Sequence, residues 1–189
     1  MIREIISPYY GTRARRHTLV AIAAQGAFFA ALLAVLFYLR WAAEAWPHPF
    51  HFASLIMVFG LTMFAMSSSV TLEISVRAAQ LPDPVPAIRW MAISAVTWLT
   101  FLFLEVVEWV RLVFLERLDW STSFGATYLS LTVTHWLFAL GCVCWIIYVA
   151  NDIKKRDVVA VALFCHFLNL VWIVLLFSLY LSSATLDGI

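Results

Sequence analysis

Five long apolar stretches, separated by short charged or proline-rich segments, run through this 189-residue chain. A membrane-spanning helix needs about 20 consecutive, predominantly apolar residues, and each stretch reaches that length. They predict spans at Thr18–Tyr38, Phe52–Leu72, Ile88–Val110, Phe124–Ala150 and Val158–Leu181. We therefore expect an all-α, polytopic membrane protein that folds as a bundle of five transmembrane helices.

The amino-acid composition supports a bilayer as the solvent. Hydrophobic residues make up 64% of the chain and charged residues 12%. Soluble domains are closer to half apolar and a quarter charged, and a water-soluble fold of this length could not bury the excess. The formal net charge is only +1, which argues against nucleic acid as a partner.

The distribution of Lys and Arg predicts how the chain crosses the membrane. Placing the N-terminus inside leaves three basic residues outside: Arg40, Arg111 and Arg117. The inner segments then hold nine: Arg3, Arg13, Arg15, Arg16, Arg77, Arg89, Lys154, Lys155 and Arg156. Because cytoplasmic loops carry an excess of Lys and Arg, we expect a cytoplasmic N-terminus and a periplasmic C-terminus.

We expect two parts, a basic cytoplasmic segment at residues 1–17 and a single five-helix transmembrane domain at residues 18–189. The apolar stretch that begins at Thr18 is too long for a signal-peptide core, so the first span should be retained. Three cysteines, Cys142, Cys144 and Cys165, lie inside apolar stretches. They are expected to be packing residues rather than a disulfide framework or a zinc site.

An inner layer of polar side chains is predicted within the spans, toward the cytoplasmic side. Polar groups in hydrocarbon are costly, so each suggests a function or a partner on another helix. His166 and Asn169 share one stripe of the fifth span with Trp172 and Tyr180, and this stripe should face the bundle. The other members of the layer lie in the first and second spans: Gln25, Ser67, Ser68, Ser69 and Thr71.

An outer layer is predicted from Glu105 and Glu108 at the end of the third span and His135 in the fourth. Glu108 and Arg111 are three residues apart and can pair at the outer edge of the membrane. Glu105 lies deeper, so it is either protonated or paired with His135. We expect Glu105, Glu108 and His135 to form a hydrogen-bonded cluster.

Two histidines within the membrane raise the possibility of a haem ligated from both sides. The span boundaries place His135 roughly 22 Å and His166 roughly 12 Å from the inner ends of their helices. That mismatch disfavours a shared iron. A small transporter is disfavoured as well, because no span has the Gly or Pro interruption of a discontinuous helix. Without a catalytic motif, the residues predict a non-catalytic subunit.

Four short segments together carry a family resemblance. The fifth span reads C-H-F-L-N-L-V-W from Cys165 to Trp172, and the third ends in E-V-V-E-W from Glu105 to Trp109. The second contains S-S-V-T from Ser68 to Thr71, and the fourth contains T-V-T-H from Thr132 to His135. In this combination the chain resembles subunit III of the haem–copper oxidases, particularly the short five-helix form of bacterial ubiquinol oxidases.

The chain departs from the family's pattern at two acidic positions. Asn169 stands where the final-helix pattern W-H-F-x-D-x-V-W has Asp, and Gln25 stands where the first of these helices has a buried acid. An amide hydrogen-bonds but does not titrate, so neither residue can carry a proton-related role of those acids. Cys165 replaces the family's Trp, and Phe138 replaces the second His of T-G-x-H-G-x-H.

The resemblance implies a subunit of the bacterial inner membrane that carries no cofactor itself and packs against a catalytic subunit containing haem and copper. It implies contacts with other oxidase subunits, bound phospholipid, and a supporting role in aerobic electron transport, with cytochrome c or quinol as donor. An accessory protein of nitric oxide reductase is the alternative, followed by a haem-bearing anchor. The residues proposed to be structural or to line a lipid cleft are Gln25, Ser68, Ser69, Thr71, Glu105, Glu108, His135, His166, Asn169, Trp172 and Tyr180.

Overall fold

The computed structural model describes residues 8–43, 46, 52–153 and 157–181, with the side chains of 14–43, 46, 56–153 and 157–179. The helices in this part of the chain are α1 Pro8–Ala42, α2 Phe52–Ala78, α3 Val85–Phe114, α4 Ser123–Ala150 and α5 Val158–Leu176, followed by a π-helical turn, Phe177–Leu181. All five α-helices are long and apolar enough to cross a membrane. The predicted all-α architecture with five potential spans is therefore confirmed.

Several helices extend beyond the predicted spans because a helix need not end where the hydrocarbon ends. α1 contains 35 residues, roughly 52 Å at about 1.5 Å per residue, whereas the hydrocarbon core is about 30 Å thick. The basic segment predicted to precede the first span is thus helical from Pro8 onward. Proline suits a first helical turn because it has no N–H to leave unpaired.

Four of the helices form a ring in the order α2, α3, α4, α5, with α5 closing onto α2. α1 lies outside this ring and packs against α4 and α5. Within the most apolar part of each helix, 56% of the α5 residues are buried but only 17% of the α1 residues. α5 is therefore the central helix, and α1 exposes most of its surface.

The middle of the ring is filled by four buried rings, which we call the aromatic core: Trp98 and Phe101 of α3, His135 of α4 and Trp172 of α5. The centroids of Phe101 and Trp172 are 4.9 Å apart in an edge-to-face arrangement, and those of His135 and Trp172 are 5.5 Å apart. Such pairs contribute beyond the area that they bury. The aromatic core thus connects α3, α4 and α5 across the centre of the bundle.

A tight loop leads into α4. The Thr122 hydroxyl donates to the Asp119 carbonyl at 2.7 Å and accepts from the Gly125 amide at 3.0 Å, which caps the helix. Ser121 donates to the Asp119 carboxylate from its hydroxyl and its amide, and these hydrogen bonds lower the pKa of Asp119. A Cβ atom on Gly125 would lie 3.0 Å from Trp120 Cα, so glycine allows this close approach.

The beginning of α5 is capped and is also tied to α1. The Asp157 carboxylate accepts hydrogen bonds from the amides of Val159 and Ala160. Its other oxygen lies 3.2 Å from Nε of Arg15 on α1. Since Arg15 is half-exposed, this ion pair contributes little energy by itself, but it aligns the ends of α1 and α5.

A disulfide joins Cys142 of α4 to Cys165 of α5. Their Cα atoms are 6.3 Å apart, within the usual range for a disulfide. The expectation that all three cysteines are packing residues is therefore wrong for this pair, because α4 and α5 bring the two side chains to the same depth. Cys144 is free and exposed, as expected for a residue on a different face of α4.

Candidate functional site: polar contacts inside the bundle

The main polar contacts within the bundle join α2 to α5. Asn169 donates through Nδ2 to the Ala65 carbonyl at 2.9 Å and reaches the hydroxyls of Ser69 at 2.5 Å and Ser68 at 3.3 Å. His166 Nδ1 lies 2.9 Å from the same Ser69 hydroxyl. One serine of α2 therefore binds two neighbouring polar side chains of α5.

The contact continues along the two helices. Trp172 donates from Nε1 to the Thr62 hydroxyl at 3.0 Å, and Thr62 in turn donates to the Val58 carbonyl at 2.8 Å. The residues of this polar seam, as we call it, are Thr62, Ser68, Ser69, His166, Asn169 and Trp172. The structure thus brings three residues of the predicted α5 stripe together with two of the predicted serines. Thr62 was not predicted, although its spacing of seven residues from Ser69 places both on one face of α2.

Two other members of the predicted inner layer lie outside the polar seam. Thr71 donates to carbonyls of its own helix, those of Ser67 at 3.1 Å and Ser68 at 3.0 Å. Gln25 is buried on α1, and its Nε2 atom has no hydrogen-bond partner among the described residues. Neither side chain therefore joins α2 to α5.

The chemistry of the polar seam explains why an amide suits position 169. The Asn169 amide donates to a backbone carbonyl, and an ionised aspartate could not do so because it has only acceptor atoms. The other groups of the seam are hydroxyls, an indole N–H and an imidazole. The arrangement is suited to holding α2 against α5 through hydrogen bonds.

The expected outer cluster of Glu105, Glu108 and His135 does not form. Glu108 instead accepts hydrogen bonds from Nη2 and Nε of Arg111 at 2.8 and 2.9 Å, so the pair expected from their spacing is present. Arg111 also pairs with Glu116 through Nη1. The carboxylate of Glu108 therefore forms a bidentate ion pair with Arg111, and His135 does not take part in it.

The predicted pairing of Glu105 with His135 is wrong. His135 places Nε2 at 3.2 Å from the Leu168 carbonyl, and its Nδ1 atom has no partner among the described residues. Two rings of α3 face His135, those of Phe101 and Trp98, with centroids 5.7 and 6.5 Å from that of the imidazole. Because Phe101 lies one turn before Glu105, the carboxyl group is displaced along α3 from the imidazole.

No protein-family model matches the chain, but curated proteins do. It is 26% identical over 172 residues to the probable cytochrome c oxidase subunit 3 of Mycobacterium tuberculosis (strain ATCC 25618 / H37Rv), across 86% of this chain and 85% of that protein. The cytochrome c oxidase subunit 3 of Corynebacterium diphtheriae (strain ATCC 700971 / NCTC 13129 / Biotype gravis) is 25% identical over 174 residues, with the same coverage. The chain is thus similar to cytochrome c oxidase subunit 3 proteins along most of its length. The resemblance to the oxidase subunit III family is thereby confirmed.

The described part of the chain contains no group of three or more His, Cys, Asp or Glu residues that could hold a metal ion. The two histidines considered for a haem have separate partners. His135 contacts the Leu168 carbonyl, whereas His166 contacts the Ser69 hydroxyl. The two imidazoles therefore do not converge on a common site.

A groove of about 410 Å³ lies between α1 and α4. The α1 side of the groove is apolar and is lined by Leu32, Val35 and Leu39. The opposite side carries the hydroxyl groups of Ser121, Thr122, Ser123, Thr127 and Ser130. It is separate from the residues predicted to line a lipid cleft, since Ser68, Glu105, His135 and Asn169 are buried in the bundle.

Some predictions concern residues whose positions are not described. The side chain of Tyr180 lies outside the described residues, as do those of five basic residues in the orientation count: Arg3, Arg13, Lys154, Lys155 and Arg156. Glu73 and Arg77 are described, and their 3.1 Å contact forms an exposed ion pair at the end of α2.

Proposed function

We propose that this chain is a non-catalytic subunit III of a respiratory haem–copper terminal oxidase. The observation that carries the proposal is the match to cytochrome c oxidase subunit 3 proteins over 86% of the chain. In this role the chain supports assembly and stability of the catalytic subunit during aerobic electron transport. The names of the relatives favour cytochrome c over quinol as the electron donor.

The polar contacts support a structural role. Hydroxyl, amide and imidazole groups of the polar seam bind α2 to α5. The Glu108 carboxylate is paired with Arg111. Polar groups committed to contacts within the bundle favour a rigid scaffold. We therefore assign haem and copper to the partner subunit and propose that this chain holds neither.

The proposed position is a bacterial inner membrane, with the N-terminus in the cytoplasm and the C-terminus in the periplasm. The excess of Lys and Arg on one side of the predicted spans, nine against three, supports this orientation. Residues 1–17 then form the cytoplasmic segment, including the first turns of α1, and residues 18–189 form one transmembrane domain.

Phospholipid is the proposed small-molecule partner. The groove between α1 and α4 supports this role because its apolar wall fits an acyl chain and its hydroxyl-bearing wall fits polar groups nearer the membrane surface. The exposed apolar side chains of α1 and α3 remain available to lipid or to the neighbouring oxidase subunits.

The proposal is tested by purifying the tagged chain from its native membrane in mild detergent. Mass spectrometry identifies the co-purifying proteins, and a reduced-minus-oxidised visible spectrum reports haem. An unrelated tagged protein of the same membrane serves as the control. We expect an oxidase catalytic subunit with its haem signal, and turnover with cytochrome c or quinol then identifies the donor.

Other outcomes of this purification would contradict the proposal. Recovery of nitric oxide reductase subunits would support the accessory-protein alternative. Haem in the isolated chain, lost on replacing His135 or His166, would support the membrane-anchor alternative.

A further inference from the structure

Two carboxyl groups on α3, one turn apart, are buried in different surroundings. Glu105 is 2% exposed and Glu108 is 1% exposed. Glu108 accepts two hydrogen bonds from the guanidinium of Arg111. Neither oxygen of Glu105 has a hydrogen-bond partner among the described residues. Glu108 is therefore paired with a cation, whereas Glu105 is not.

Among the described residues of α2 and α4, the helices packed against α3, none provides a cation to Glu105. On α2, Glu73 and Arg77 pair with each other at the opposite end of the bundle. On α4, His135 is engaged with the Leu168 carbonyl and faces Phe101.

Within α3 the nearest cation is Arg111, and the carboxylates of Glu108 and Glu116 occupy its guanidinium. An ionised Glu105 would therefore be an unpaired charge inside a membrane-spanning helix.

We propose that Glu105 is a neutral carboxylic acid that holds a proton within the membrane, while Glu108, one turn away, is ionised. An unpaired carboxylate in a dry, apolar interior is far more costly than the corresponding neutral acid. Acidic residues within membrane spans usually face the bundle interior and take part in proton or ion binding. Glu105 is thus a protonatable site, and this inference does not depend on the oxidase role proposed above.

Infrared difference spectroscopy on the purified full-length chain tests the proposal. The spectrum of wild type minus Glu105→Gln at neutral pH isolates the contribution of this one carboxyl group. We expect a positive band in the C=O stretching region of protonated carboxylic acids. The matched difference with Glu108→Gln should instead show carboxylate stretching bands. Carboxylate bands in the Glu105→Gln difference would overturn the proposal.

Thermal unfolding of the same variants provides a second measurement. Glutamine has nearly the same shape as a neutral glutamic acid, so Glu105→Gln should melt at the wild-type temperature. Glu108→Gln should melt lower because it removes the charge that Arg111 faces. A clear rise in the melting temperature of Glu105→Gln would mean that an unpaired charge had been removed, contrary to the proposal.

A wild-type spectrum covers the case in which Glu105→Gln fails to fold. Exposed carboxyl groups are ionised at mildly alkaline pH, so a carboxylic-acid band that persists there reports a buried acid. Absence of that band would overturn the proposal.

Discussion

Replacing Gly125 by alanine tests how closely the loop before α4 approaches the helix. The added Cβ would fall well inside contact distance of the Asp119 carbonyl oxygen and 2.8 Å from the Asp119 carbonyl carbon. It would also lie 3.0 Å from Trp120 Cα. All three are backbone atoms, so no side-chain rotation can relieve the overlap. The loop must move away from α4, or the first turn of the helix must open.

The cost has two parts. Forcing an extra methyl group into a closely packed site costs about 1–3 kcal/mol. Moving residues 119 and 120 also disturbs the cap, because Thr122 is bound both to the Asp119 carbonyl and to the Gly125 amide. Losing an N-cap costs about 0.5–2 kcal/mol. We expect Gly125→Ala to lower the free energy of unfolding by about 1.5–5 kcal/mol.

Gly141→Ala on the same helix is the matched control. A Cβ at that position meets nothing within 4 Å, and alanine is favoured over glycine within a helix by about 0.5–1 kcal/mol. Unfolding of both variants in mixed detergent micelles, followed by circular dichroism, should show Gly125→Ala destabilised and Gly141→Ala unchanged or stabilised. Stability equal to wild type in Gly125→Ala would refute the close approach of the loop.

Two further predictions concern helix contacts. Before reduction, the denatured protein should contain one thiol that reacts with maleimide, that of Cys144, and after reduction it should contain three. Three reactive thiols before reduction would exclude the bond between Cys142 and Cys165. Trp172→Phe keeps an aromatic ring but removes the donor to Thr62 and part of a buried side chain, so it should cost more than the roughly 0.5–1.5 kcal/mol of one hydrogen bond in the same unfolding assay. A wild-type unfolding curve for Trp172→Phe would show that this hydrogen bond adds no stability.

The sequence was sufficient to predict the helices because the signal is strong and local. A span of about 20 apolar residues can be recognised without knowledge of its neighbours, and the described part of the chain contains a helix at each of the five predicted positions. The stripe of α5 was also predictable, since His166, Asn169 and Trp172 recur at helical spacing in an apolar stretch. Periodicity identifies the buried face but not the helix opposite it, so the contact with Thr62 was not predicted.

The contacts between helices could not be predicted because they depend on depth to within one turn. Glu105 and Phe101 differ by a single turn, and that difference decides which of them faces His135. The Cys142–Cys165 bond was missed for the same reason, since the sequence does not show that the two cysteines lie at the same depth in the bundle. Orientation in the membrane and the lipid partner stay predictions that rest on charge and resemblance.

The position of α1 has a consequence for how the chain is made. α1 is synthesised before the other four described helices, yet it packs against α4 and α5, which follow α2 and α3 in the chain. The ion pair between Arg15 and Asp157 joins residues that are 142 positions apart in the chain. Until α5 is inserted, α1 lacks part of its native contact surface, and α2 lacks the partner that closes the ring. The ring and the contacts of α1 are therefore complete only once α5 is inserted, and a chain that ended before α5 would leave both α1 and α2 without this native neighbour.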